Sequence, residues 1–446
     1  MKFTKFGKAL LMSALSAGVI LSVTSCVQSY TVGYLYVTGT VTAQSSGNGV
    51  ISGFTIDHNT GKLNSIDGLP ISSGGANPGR SVLLIGSKFL YVLNRGVNAQ
   101  GGSVCTTANP CENSNISEFA VGGNGILTFQ GAFYTQGINP FRIVSDNTGN
   151  YLYVLDHDAP SNSACALALG AGVTSCGDIT AFQINQTTGR LQLVVNAPVT
   201  AANGSALPYF PVPGNPIDFV YSSTYILTVS GTPATSDSVF PYTTNSSNGQ
   251  LTVSQNTSQP LNIKQATAIV SGSGFIYVLD NEPITIAPGG TGSFTAGTYP
   301  SQILPFSVGT GGALQAQTGG IVPDDPTLSN PVYLIVESKG KFLYVINEGN
   351  NTNTTNSQSG IAGYVIDPST HQLSFIAGEP WGSGAGPQCV LEDPSDQFLY
   401  QADFNDSSIT GRVVDPNSGV LNNLRVATNY ALPGPAAWCL VDGRTS

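Results

Sequence analysis

The chain has 446 residues, with 25 Asp and Glu against 15 Lys and Arg, a formal net charge of −10 and only 9% charged residues, where an average soluble protein has about 25%. An acidic body without a basic stripe is repelled by phosphate backbones, which argues against nucleic acid as a partner. Beyond the first residues no apolar stretch is long enough to span a bilayer, so the body of the chain is expected to be soluble.

At the N-terminus, Lys2, Lys5 and Lys8 precede an apolar run from Ala9 to Val23 that is short for a membrane span, the pattern of a signal peptide. The run ends in Val23-Thr24-Ser25-Cys26, which resembles a bacterial lipobox. The resemblance implies cleavage after residue 25, lipidation of Cys26 and residues 26–30 as an anchor linker. The protein is then expected in the cell envelope, with an outer membrane favoured because Val27 gives no aspartate-type retention signal. It would be a monomer held to the membrane by lipid alone. Losing residues 1–25 removes three lysines and no acid, which takes the charge from −10 to −13.

That compartment is oxidising, and six cysteines remain: Cys105 with Cys111, Cys165 with Cys176, and the distant Cys389 and Cys439. An even count suits three disulfides. A zinc site is the rival reading, but no CxxC occurs and the spacings do not pair as metal knuckles.

Residues 31–446 contain a repeat. A turn is followed by a leucine at Leu63, Leu127, Leu191, Leu251, Leu314, Leu373 and Leu421, at intervals of 48–64 residues. An aromatic strand keeps step with it: 34–37, 89–92, 151–154, 225–228, 275–278, 342–345 and 398–401, most of them reading Tyr/Phe-Leu-Tyr-Val. A third strand carries an apolar residue and an aromatic three positions later, as in Ile51 and Phe54 or Ile361 and Tyr364. A fourth opens on proline, as at Pro78, Pro140, Pro216, Pro331 and Pro387. Four short strands joined by Gly/Asn/Asp turns describe one propeller blade, and seven copies predict an all-β, seven-bladed propeller of four-stranded antiparallel blades.

The first aromatic strand has no proline-opened strand before it, while residues 435–441 resemble such a strand with no blade to follow. The C-terminus is therefore expected to complete the N-terminal blade, which removes the open sheet edges. A Cys389–Cys439 bridge would then lock the seam. Pro241 and Pro305 fall inside third strands, where bulges are expected because proline lacks a ladder donor.

The combination of proline-opened strand, LYV strand, Ile-x-x-Phe strand and TG-x-L turn resembles the lactonase-type seven-bladed propellers, which include the propeller form of 6-phosphogluconolactonase. The resemblance implies lactone chemistry at one mouth of the central channel, in a site lined by His, Arg and acidic residues near the starts of the inner strands. Arg80 and Arg142 stand two residues after Pro78 and Pro140, and Asp218 two after Pro216. The equivalent places elsewhere hold Thr267, Tyr333 and Cys389, and the histidine expected in an active lactonase's motif is missing from every blade.

A lactonase needs a group that activates water, here Asp218, and a cation that stabilises the oxyanion, here Arg80 or Arg142. The competing reading of the same three residues is a buried ion-pair network that fills the channel. His58 and His371 belong to outer turns. His157, in Asp156-His157-Asp158, ends a strand facing one mouth; it is a further catalytic candidate, with Asp156 and Asp158 as possible oxygen ligands for calcium. No other cofactor is implied.

Long insertions, Gly96–Asn113, Ala159–Gly177, Glu282–Tyr299 and Glu348–Gly360, should gather on one face. A lipid-anchored envelope propeller that binds a ligand or protein through these loops is therefore the non-catalytic alternative.

Overall fold

A computed structural model describes residues 30–443 apart from 42–47, 85, 87, 171, 232–235, 255–260, 288–293, 318–320 and 351–357. The signal segment and Cys26 lie outside the described residues. Seven antiparallel blades, each a path of four strands, follow one another round a channel, and in blades 1, 3, 5 and 7 a further short strand pairs with the third. Blade 2 runs from the inner strand Pro78–Leu83 through Phe89–Asn94 and Asn115–Val121 to the outer strand Leu127–Phe133. Blades 3 to 7 start at Ile138, Asn215, Ala266, Pro331 and Pro387. The C-terminal strand Ala436–Asp442 pairs with Thr31–Thr40 from Tyr34↔Asp442 to Gly39↔Ala436, so blade 1 takes its inner strand from the end of the chain.

The two repeat motifs are two sides of one contact between blades. The second tyrosine hydroxyl of an aromatic strand donates to the turn-glycine carbonyl of the following blade: Tyr36 to Gly125 at 2.8 Å, Tyr344 to Gly419 at 2.7 Å, and Tyr91 to Gly189. Tyr400 to Gly61, at 2.6 Å, carries the same clasp from blade 7 to blade 1. The glycines are required twice over. Each of these four has a positive φ, and a β-carbon on Gly61 or Gly419 would come within 2.5 Å of the Phe398 or Phe342 ring, the first aromatic of the same strand. Apolar cores consequently form between blades; one joins Tyr34, Tyr36 and Ile51 of blade 1 to Leu90, Val92 and Phe119 of blade 2. Tyr400→Phe leaves the buried Gly61 carbonyl without its donor, and we expect a loss of about 1–2 kcal/mol, read as a lower urea midpoint with unchanged slope.

The expected bulges at Pro241 and Pro305 do not occur. Both residues sit in regular register opposite Leu227 and Tyr277. Their carbonyls turn outward and accept from Ser254 N and Gln317 N at 3.2 and 3.1 Å. In a strand the N–H shares the carbonyl's edge, so each missing donor would point just past the short outer strand, Leu251–Val253 or Leu314–Ala316, where no ladder remains. Every inner strand is irregular instead directly after its proline, or after the alanine that replaces it in blades 5 and 1: at Phe141, Ile217, Thr267, Val332, Gln388 and Ala437, and over Gly79–Arg80.

Three disulfides form: Cys105–Cys111, Cys165–Cys176 and Cys389–Cys439, the last joining the inner strands of blades 7 and 1 across the seam. The first two stiffen insertions on the proline-end face of the ring, one of which contains the short helix Asn162–Leu169. Among the described residues no helix is long and apolar enough to cross a membrane.

Burial also protonates carboxyls. It pushes Glu118 up to about 7, against the partial opposition of Arg190, and Asp403 up to about 7. Asp156 and Asp178, both fully buried, are raised by burial; the charge of Asp156 adds to the rise at Asp178, and that of Asp158 adds to both. These folded-state values lie above those of an unfolded chain, so the fold holds extra protons between about pH 4.5 and 8, and stability is lost as pH rises through that window. The thermal midpoint should fall by several degrees between about pH 5.5 and 8.5, and Glu118→Gln should flatten the decline.

Candidate functional site

The strand register converts the repeat into rings of side chains around the channel. Taking the opening residue of each inner strand as a marker, the first regular position beyond the bulge carries Arg142, Asp218, Ala268, Tyr333, Cys389 and Trp438 in blades 3 to 7 and 1. Arg80 is their counterpart in blade 2. Thr267, expected at this level, is instead the bulged residue and Ala268 takes its place, because blade 5 opens on Ala266 rather than on proline.

Arg80, Arg142 and Asp218 converge, as the spacing after proline predicts. Arg80 grips Asp218 with both terminal nitrogens, at 2.8 and 2.9 Å, and Arg142 Nε donates to Asp218 Oδ1 at 3.2 Å. The backbone N–H groups of Phe219 and Ile269 add bonds of 2.9 and 3.2 Å. Asp218, 0% exposed, thus accepts five hydrogen bonds. Its lone pairs are taken, so it does not meet the requirement for activating water.

Arg80 also lies 4.8 Å over the Trp438 ring and 5.5 Å from the Tyr333 ring, which pack edge to face on each other. The resulting layer forms a waist in the channel. Arg142 is freer, with its side chain 27% exposed against 11% for Arg80. Burial and the charges of Arg80 and Arg95 bring its pKa down to about 10, against the pull of Asp218, and it remains cationic at neutral pH.

Above the waist, on the insertion face, opens a cavity of about 610 Å³ lined by Arg80, Arg142, Arg95, Glu348, Gln388, Phe141 and Trp438, among others. Arg95 and Glu348 were not picked out as site residues by sequence reasoning. Each directly follows the last residue of its blade's second strand, Asn94 or Asn347, the position that His157 occupies after Asp156. The strand-end position that marks His157 in blade 3 marks Arg95 in blade 2 and Glu348 in blade 6 as well.

Glu348 is the only acid lining this cavity among the described residues, and it accepts from Asn330 Nδ2 at 3.0 Å and Gln388 Nε2 at 3.1 Å. The left-handed Asn330, immediately before Pro331, thereby ties the start of the inner strand to the rim. Asn139, in the same conformation before Pro140, does so through Asp158 at 2.9 Å.

His157 does not join the arginines. Its side chain is 41% exposed, with Nδ1 3.1 Å from Asp158. The Phe141 ring, 6.2 Å from the imidazole and 5.2 Å from the Arg142 guanidinium, stands beside both groups. The proposed calcium ligands do not make an oxygen cage either. Asp156 accepts from the hydroxyls of Thr135 and Thr180, and Asp158 from Thr107 and Asn139. Among the described residues no group of three His, Cys, Asp or Glu is placed to hold a metal ion. At the outer edge His58 stacks on Tyr30 and His371 packs tilted against Phe275.

Below the waist a second cavity, of about 490 Å³, is walled by the next ring down, Val82, Val144, Val220, Val270, Ile335, Leu391 and Leu440.

The molecule is therefore a seven-bladed propeller with a cationic vestibule at one channel mouth. A model of the lactonase seven-bladed β-propeller family matches residues 34–207 and 293–437, and the chain belongs to that family. No curated protein matches the sequence. Among solved structures, a candidate 6-phosphogluconolactonase from Bacteroides fragilis is similar at 15% identity and a TM-score of 0.63, over 92% of this chain and 98% of that one. The periplasmic gluconolactonase of Pseudomonas aeruginosa is similar at 16% identity and 0.60, over 92% and 99%.

Proposed function

We propose that the protein hydrolyses a small, sugar-derived lactone in the upper vestibule. The observation that carries this reading is the convergence of Arg80, Arg95 and Arg142 on one cavity of an acidic protein, with Glu348 the one acid on its wall among the described residues. Ring opening of a lactone puts negative charge on the carbonyl oxygen and then yields a carboxylate; preorganised guanidinium donors favour both. Glu348, on the cavity wall and oriented by Asn330 and Gln388, is the group placed to take a proton from the attacking water. Family membership and the gluconolactonase named among the similar structures support the same substrate class.

The experiment is a pH-stat assay of the purified protein on a panel of five- and six-membered lactones, sugar-derived and simple. We expect turnover on at least one sugar-derived lactone. Acid release at the uncatalysed rate across the whole panel would remove the proposal.

A further inference from the structure

The lower cavity does not fit the same ligand. Its wall is aliphatic in all seven blades at one register level, and five of the seven side chains are only half-buried, with their remaining surface in the channel. Val270 and Leu391 belong to the interblade cores and the other five pack against them, yet polar side chains stand beside the ring, where the same strands carry Ser81, Ser145 and Ser271. A continuous apolar lining of ligand-sized volume, with few polar groups, is the usual form of a small-molecule site.

The two ends of this compartment differ in charge. Arg80 lines both cavities and forms the ceiling of the lower one. Its terminal nitrogens hold Asp218, while its Nε has no protein acceptor among the described residues. Glu392, the only acid on this wall among the described residues, lies three positions along its strand from the waist residue Cys389, away from Arg80. A cation at the closed end and an acid towards the opening orient an anion head-first and disfavour a second negative charge at the tail.

We infer that the lower half of the channel is a separate binding compartment for a small amphiphile with one carboxylate head and an aliphatic chain, the head at Arg80 and the chain along the aliphatic ring. The aliphatic ring suits a hydrocarbon chain better than a polyhydroxylated sugar, so this ligand is distinct from the lactone proposed for the upper vestibule.

Calorimetric titration of the purified protein with sodium octanoate tests the inference. Binding is expected with a negative heat-capacity change, and 1-octanol, which lacks the head charge, should bind about tenfold more weakly. Val144→Gln and Ile335→Gln each place an amide in the ring, and either variant that keeps the wild-type melting profile should bind octanoate at least about tenfold more weakly. Absence of octanoate binding, or binding that both folded variants retain, would overturn the inference. Lactone turnover reads the upper cavity alone, so the two proposals fail separately.

Discussion

Replacing Arg142 by alanine should lower kcat/KM on the best lactone by about 10²–10³-fold, the usual cost of removing one preorganised oxyanion donor, with the melting profile unchanged. Arg142 is the informative position because of how little it holds in place. It gives Asp218 one bond and the Phe141 carbonyl another, at 3.2 Å each, and presents the rest of its guanidinium to the cavity. Arg80 is built into the waist through Asp218, Trp438 and Tyr333, so its loss would confound chemistry with structure. Arg142→Lys keeps the charge but loses the planar fork, and should recover only part of the rate. Glu348→Gln should lower kcat with little change in KM, because a water-activating group acts in the transition state rather than in ground-state binding. Full activity in Arg142→Ala would move the site away from the channel mouth.

Asp218→Asn should be the most damaging single change to stability. Asp218 is completely buried and is the counter-charge for two arginines, with the guanidinium of Arg95 close enough to affect Arg142. Removing one partner of a buried ion pair leaves the other charge uncompensated, at a cost of about 3–5 kcal/mol. An asparagine amide would also direct a donor at a donor. Equilibrium urea unfolding measures the loss, and added sulfate should restore part of it by supplying an anion to the cluster. A change under about 1 kcal/mol would mean that water or another residue neutralises the arginines.

The architecture was readable because each repeat motif is one half of a physical contact. Tyrosine in the second strand and glycine in the outer turn recur together because the hydroxyl of one blade binds the carbonyl of the next, and glycine meets the positive φ against the neighbouring aromatic ring most easily; blade 6 fills the place with His371, also at positive φ and against Phe275. The C-terminal closing strand could be predicted for a related reason: an inner strand without a blade and a blade without an inner strand leave one pairing.

The site was readable only in part. Arg80, Arg142 and Asp218 share a position after proline, and the register brings them together. Their roles were not readable, since only geometry reveals that Asp218 is saturated. Thr267 was placed wrongly because blade 5 has no proline to mark the bulge. Pro241 and Pro305 misled because a sequence does not show which edge a missing N–H would face. Trp438 and Tyr333 reach Arg80 from inner strands of other blades, and no local pattern announces that contact.

A crystal of the protein soaked with D-gluconate, the product of gluconolactone hydrolysis, tests the lactone reading most directly. The account predicts the gluconate carboxylate within hydrogen-bond distance of Arg142, in the cavity above the waist and beside Glu348. Gluconate bound on the outer loops, or absent from the vestibule while the arginines remain ordered, would contradict it.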